Sequence, residues 1–293
     1  MKGAGCETCG FRNRRDIETF PYDETFGQTE SIKCNIQQQR KEYRAGKVIL
    51  KSTPSHVVVQ VTEACNYECV MCFQSHRPES MEEETLTRSL SGIEALDEIQ
   101  FTGGEPFLSK PVQRFLKTFD ISTGQKLSFT TNGSLLHMFR KELERLPRLH
   151  LGLSLDAATE ATYEKIRKGG DWAQVKENVE WFAAARKERY RGWKTSRLAF
   201  VVMKSNYEEI PLFVEWAASL GMPVLFAPVW GEFAPEENIY SHPELQEGLT
   251  PPELILERAE LAAKTLPDME RNEIIKSLRE SLGQLTQAAI LKG

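Results

Sequence analysis

Residues 56–73 read His-Val-Val-Val-Gln-Val-Thr-Glu-Ala-Cys65-Asn-Tyr-Glu-Cys69-Val-Met71-Cys72-Phe73, and residues 98–107 read Glu-Ile-Gln-Phe-Thr-Gly103-Gly104-Glu105-Pro106-Phe107. Each stretch opens on a short run rich in apolar and β-branched residues, the signature of a strand, and ends in a loop that carries unusual residues. The first loop holds three cysteines in a CxxxCxxC pattern. The second holds paired glycines, which let a backbone hug a ligand, a carboxylate, and a proline that fixes the following turn.

Outward from these stretches, apolar runs alternate with amphipathic segments. Strands are expected at His56–Thr62, Glu98–Thr102, Lys126–Thr131, Leu149–Leu155, Arg197–Met203 and Pro223–Pro228. Helices are expected at Met81–Leu96, Pro111–Phe119, Leu136–Leu146, Thr159–Arg189 and Ile210–Leu220, where apolar residues recur at three and four. Gly169-Gly170 should split the fourth of these, its second half starting near Trp172. This βα rhythm describes an α/β chain with a parallel sheet, either an open doubly wound sheet or part of a (β/α) barrel, and in both the functional groups belong at the carboxyl ends of the strands. After a Gly-, Pro- and acid-rich segment, Val229–Pro251, two more helices are expected over Pro252–Thr265 and Met269–Leu291. Before the first strand, a helix around Ile36–Ala45 is the main periodic feature.

The 293 residues carry 37 basic and 42 acidic side chains, net −5, with 40% hydrophobic residues. That balance suits a folded globular protein and gives no global positive field for nucleic acid or an anionic membrane. No apolar run approaches the roughly 20 residues of a membrane span, and the polar N-terminus does not resemble a secretion signal, so a cytoplasmic protein is expected. All six cysteines fall within the first 72 residues, a clustering that points to metal rather than to disulfides.

Three thiolates with no fourth cysteine nearby leave one iron of a cubane cluster without a protein ligand, free to bind substrate or cofactor. A structural zinc site, or a chance grouping of buried thiols, remains open on spacing alone. The pairing of Cys65, Cys69 and Cys72 with Gly103-Gly104-Glu105-Pro106 one β–α unit later closely resembles the radical S-adenosylmethionine (radical SAM) superfamily, over roughly Ser55 to Trp230. The resemblance implies a partial (β/α)6 TIM-like barrel, placed here over 52–250, and the chain's own pattern adds an N-terminal extension (residues 1–51) and a C-terminal helical segment (251–293). It implies that the three cysteines hold a [4Fe-4S] cluster whose fourth iron is chelated by S-adenosylmethionine, with the Gly103–Pro106 turn at the cofactor's amino group. Asn132 and Ser154, at the ends of the third and fourth strands, are implied contacts to its methionine and ribose portions; as structural elements, Asn132 would open a turn and Ser154 or Asp156 cap a helix. Met71 stands where the family often has an aromatic residue, and Phe73 offers some of the missing stacking surface.

The chemistry so implied is one-electron reduction of the cluster, cleavage of the sulfonium to methionine and a 5′-deoxyadenosyl radical, and hydrogen abstraction from substrate, fed by a one-electron donor such as a flavodoxin or ferredoxin. Cys6, Cys9 and Cys34 form a CxxC plus one, a candidate second iron–sulfur or zinc site of the kind carried by auxiliary-cluster (SPASM/Twitch-like) peptide-modifying members, or else thiols without a role. His76 is the histidine nearest the cysteine loop, and a single loop histidine is usually solvated. Trp230 and Tyr240 are candidates for lining the substrate opening. Three functions follow: a radical enzyme acting on a peptide or protein, one acting on a sugar, nucleoside or other metabolite, and a non-catalytic iron–sulfur or zinc protein. The glycine turn argues against the third, and the acidic balance disfavours a nucleic-acid substrate.

Overall fold

The computed structural model describes residues 26–90, 94–231 and 233–292. Six strands, β1 (His56–Thr62), β2 (Glu98–Gly103), β3 (Lys126–Thr131), β4 (Leu149–Ser154), β5 (Arg197–Val202) and β6 (Val224–Pro228), form one all-parallel sheet in sequential order. β1 and β6 are its edges, and among the described residues no strand joins them, so the architecture is a partial barrel. Residues alternate along each strand with period two. Val59, Val61, Ile99, Phe101, Phe129, Leu151 and Phe200 are buried on one face against helix residues such as Val112, Leu116, Val179 and Phe213. Parallel sheets are commonly apolar on both faces. Here the other face carries Gln60, Gln100, Thr130, His150 and Ser154, none of them fully buried.

The intervening helices follow the expected pattern, with shorter pieces. α1 (Glu30–Arg44) starts earlier than its apolar periodicity suggests because Thr29 caps it. It is fastened to the barrel by Asn35, whose amide donates to Thr53 O and Ala95 O and accepts from Thr53 N. Ser52, Gln38 and the Lys51 amide also converge on Glu42 and hold its carboxyl at about 2. α2 spans Glu83–Leu90 and α3 spans Lys110–Thr118. The helix expected over Leu136–Leu146 is instead a short 3-10 turn, Leu136–Met138, followed by α4 (Arg140–Glu144). Phe139 separates the two, leaving helical geometry to stack its ring on Phe107 in the core.

The long segment splits at Gly169-Gly170, as expected, into α5 (Glu160–Ile166) and α6 (Trp172–Glu188). Gly169 has φ +87°, and Asp171 caps α6 by accepting from Gln174 N. Between the glycines and α5 lies a two-residue strand, Arg167–Lys168, paired antiparallel with Glu68–Cys69 of the cysteine loop. Asn178 of α6 donates to Gly133 O and Ser134 O, steadying the turn after β3. α7 (Ile210–Leu220) leads into β6. α8 (Pro252–Ala262) and α9 (Asp268–Lys292) form the C-terminal helical segment, and Ser277 of α9 accepts the Phe226 amide on the edge strand. Among the described residues no helix is long and apolar enough to cross a membrane.

Candidate active site

The carboxyl ends of the strands surround a cavity of about 290 Å³. Cys65, Cys69, Met71, Cys72, Phe73, Gly103, Gly104, Asn132 and Ser154 all line it. Stretches as far apart in sequence as Cys65 and Trp230 meet there because each follows a parallel strand and all parallel strands end on the same side. Cys65 and Cys69 are half-buried, and burial raises both thiols, Cys69 to about 11. Among the described residues no three His, Cys, Asp or Glu side chains converge as a single metal ion requires. Thiolates at the corners of a cubane stand farther apart than those around one ion.

The glycine turn lies against the cysteine loop. Gly104 N donates to Thr62 O and Glu105 N to Ala64 O, both at 2.8 Å. A Cβ on Gly103, whose φ is +137°, would stand 2.1 Å from Thr62 O, and one on Gly104 2.1 Å from Ala64 O. Both glycines are therefore required by the neighbouring backbone, whatever ligand the cavity takes.

Glu105 and Pro106 differ from expectation. Glu105 has no solvent exposure, Pro106 is buried, and neither lines the cavity. The Glu105 carboxylate, expected to face a cationic ligand, instead accepts from the Thr131 hydroxyl, from Asn132 N and from Phe107 N. It ties the end of β3 to the turn after β2, and burial pushes its carboxyl up to about 7. Asn132 does lie on the cavity wall, and it also builds local structure. Its Oδ1 accepts from Ser134 N and the Ser134 hydroxyl, while its Nδ2 donates to Asn66 Oδ1 at 3.0 Å and approaches Cys65 Sγ at 3.9 Å.

Asp156 is not a helix cap; Thr159 caps α5, accepting from Thr162 N. Asp156 is fully buried at φ +63° and accepts from Val201 N and from Arg167. Arg167 is a wall residue that sequence reasoning missed. It reads as one more polar residue at the end of an amphipathic helix, and only its antiparallel pairing with Cys69 brings it inward. Gln74 also went unnoticed: it donates to Gly103 O at 2.6 Å. Buried Gln74 Oε1 and His76 Nδ1 have no hydrogen-bond partner among the described residues, which suits a wall built to face a polar ligand. Phe73 and Trp230 form an exposed rim, with the Phe73 ring 6.1 Å from that of Phe233. Tyr240, expected at the opening, is instead packed beneath α9 with its hydroxyl on Ser281. Cys34 is exposed on α1, while Cys6 and Cys9 lie outside the described residues. A wider surface groove of about 740 Å³ along α8 and α9 is lined by residues of both charges and lies away from the cysteine loop.

Three thiols, a close-packed glycine backbone and polar strand ends around one cavity fit a cluster with a cofactor at its open iron. The profile of the radical SAM superfamily matches residues 59–217, more than half of the chain, and the chain belongs to that superfamily. Its members are enzymes that use a [4Fe-4S] cluster and S-adenosylmethionine. A GTP 3′,8-cyclase of Marinobacter nauticus is 29% identical over 182 residues, covering 59% of this chain and 53% of its own. A GTP 3′,8-cyclase of Clostridium botulinum is 27% identical over 215 residues, 65% of each chain. The chain thus spans between about half and two thirds of the length of these relatives. Among solved structures, SuiB of Streptococcus suis, bound to precursor peptide SuiA, has a TM-score of 0.53 at 17% identity, covering 78% of this chain and 49% of that one. That likeness is one of fold.

Proposed function

We propose that this chain binds a [4Fe-4S] cluster through Cys65, Cys69 and Cys72 and cleaves S-adenosylmethionine reductively to abstract a hydrogen atom from its substrate. The observation that carries the reading is the single cavity in which the three thiols meet the Gly103-Gly104 backbone, Asn132 and Ser154. When bound, the cluster and cofactor supply the one-electron chemistry and the carbon radical. The protein's part is to orient and to exclude water. Gly103 and Gly104 present backbone at the wall, Asn132 and Ser154 offer polar contacts from the ends of β3 and β4, and Met71 adds apolar surface. Glu105 keeps the glycine turn and the β3 end in register without reaching the cavity.

A peptide or protein is our first reading of the substrate. The cavity opens to the surface beside Phe73 and Trp230, so a substrate larger than the cavity can present a single side chain at its mouth. The exposed rings of Phe73, Trp230 and Phe233 would meet a substrate that brings its own surface. A small molecule is the second reading, favoured by the activity named for the sequence relatives. A second iron–sulfur or zinc site on Cys6, Cys9 and Cys34 and a flavodoxin- or ferredoxin-type donor complete the proposal.

Anaerobically reconstituted protein given dithionite and S-adenosylmethionine should release 5′-deoxyadenosine without substrate, and the Cys65→Ala/Cys69→Ala/Cys72→Ala variant should not. Parent-level release by that variant would refute the assignment.

A further inference from the structure

Arg167 is buried in the cavity wall, and each of its three side-chain nitrogens has a partner. Nε donates to Leu155 O at 3.1 Å, one terminal nitrogen to Asp156 Oδ2 at 2.5 Å, and the other lies 3.6 Å from Cys69 Sγ. Its backbone pairs with Cys69 across the antiparallel bridge, so loop and side chain are fixed together. Asp156 is itself over-determined. It is fully buried, its other carboxylate oxygen receives Val201 N, its carbonyl receives Asn206 Nδ2, and its φ of +63° is a conformation that a non-glycine residue holds only when its surroundings impose it. A chain that needed only to fill this space would hold an apolar pair at less desolvation cost. Instead the fold places one permanent cation against a cysteine sulfur and its counter-anion behind it.

One other observation makes the placement chemical. Arg167 acts on both Cys65 and Cys69 and favours the charged form of each, while Glu105 opposes it at Cys65 and Asp156 at Cys69. Reduction of a cluster adds negative charge to its sulfurs, and cluster potentials respond to nearby charge and to hydrogen bonds to sulfur. A guanidinium is never deprotonated in a protein, so its influence does not vary with pH.

We infer that Arg167, held in place by Asp156, is a positioning residue that sets the reduction potential of the cluster at Cys65, Cys69 and Cys72. The inference rests on the proposed cluster ligation. The couple is one-electron: the external reductant is oxidised, the cluster is reduced, and no bond forms or breaks. Arg167 stabilises the reduced form, and Asp156, farther away, offsets part of that effect.

The test is an anaerobic redox titration with dithionite, followed by the electron paramagnetic resonance of the reduced cluster, on the full chain without S-adenosylmethionine. Asp156→Asn removes the anion, and Asn tolerates positive φ well. It should raise the reduced-to-oxidised ratio at a fixed potential about tenfold, about 59 mV for one electron. Asp156→Asn/Arg167→Gln removes both charges without leaving either one buried alone, and should shift the ratio below the parent's. Arg167→Lys keeps the charge and should stay within about twofold of the parent. A purely structural role would move the first two variants the same way or not at all, and either result overturns the inference while the proposed function stands. A parent protein that binds no four-iron cluster overturns both.

Discussion

Glu105→Gln probes the buried carboxylate that joins the glycine turn to β3. Burial pushes this carboxyl from 4.5 to about 7, against the opposing pull of the Asn132 and Phe107 amides, the Thr131 hydroxyl and Arg167. Because the folded value lies above the unfolded one, the folded protein retains a proton that the unfolded chain releases between about pH 4.5 and 7. Stability is therefore full below the unfolded value and falls as pH rises through that window. The difference between 4.5 and about 7 corresponds to roughly 3 kcal/mol, lost in full by about pH 8. Glutamine does not titrate, and its amide nitrogen must face one of the backbone donors, Phe107 N or Asn132 N, leaving it unpaired for roughly 1–3 kcal/mol at every pH. The variant should thus be the less stable protein at pH 5, with the gap closing by about 3 kcal/mol toward pH 8. Urea unfolding of both proteins in the same metal-free state, at four pH values across that range, measures this. Parallel stability profiles would refute the reasoning.

Gly104→Val should lower the iron content of the reconstituted protein as well as its affinity for S-adenosylmethionine, because the new Cβ would strike Ala64 O in the cysteine loop; full iron with weakened cofactor binding alone would mean that the glycine serves only the ligand. Asn132→Ala removes the link to Asn66 and the turn to Ser134, and should cost about 1–2 kcal/mol in urea unfolding while weakening cofactor binding; an unchanged midpoint would contradict the bridging role. For the N-terminal cysteines, iron analysis should find about eight irons in the parent and about four in Cys6→Ala/Cys9→Ala/Cys34→Ala if they hold a second cubane. About four in both, with no zinc, would make them bystanders.

Much of this protein could be read from its sequence because the deciding signals are local. The six strands lie where short apolar, β-branched runs put them, and Gly169-Gly170 divides α5 from α6 because a positive φ at Gly169 requires glycine. The cysteine loop and the Gly103-Gly104 turn could be placed on one side of a sheet once the strands were known to be parallel. What the side chains at that end touch was decided only by tertiary structure. Glu105 looked like a ligand group, yet the close approach of β3 turns its carboxylate into an internal tie. Asp156 looked like a helix cap, but the helix begins later, at Thr159, and Asp156 turns inward to Val201 and Arg167. Arg167 gave no local sign at all. Its position against Cys69 depends on a two-residue antiparallel bridge between segments 98 residues apart, and no periodicity within either segment encodes a pairing at that distance.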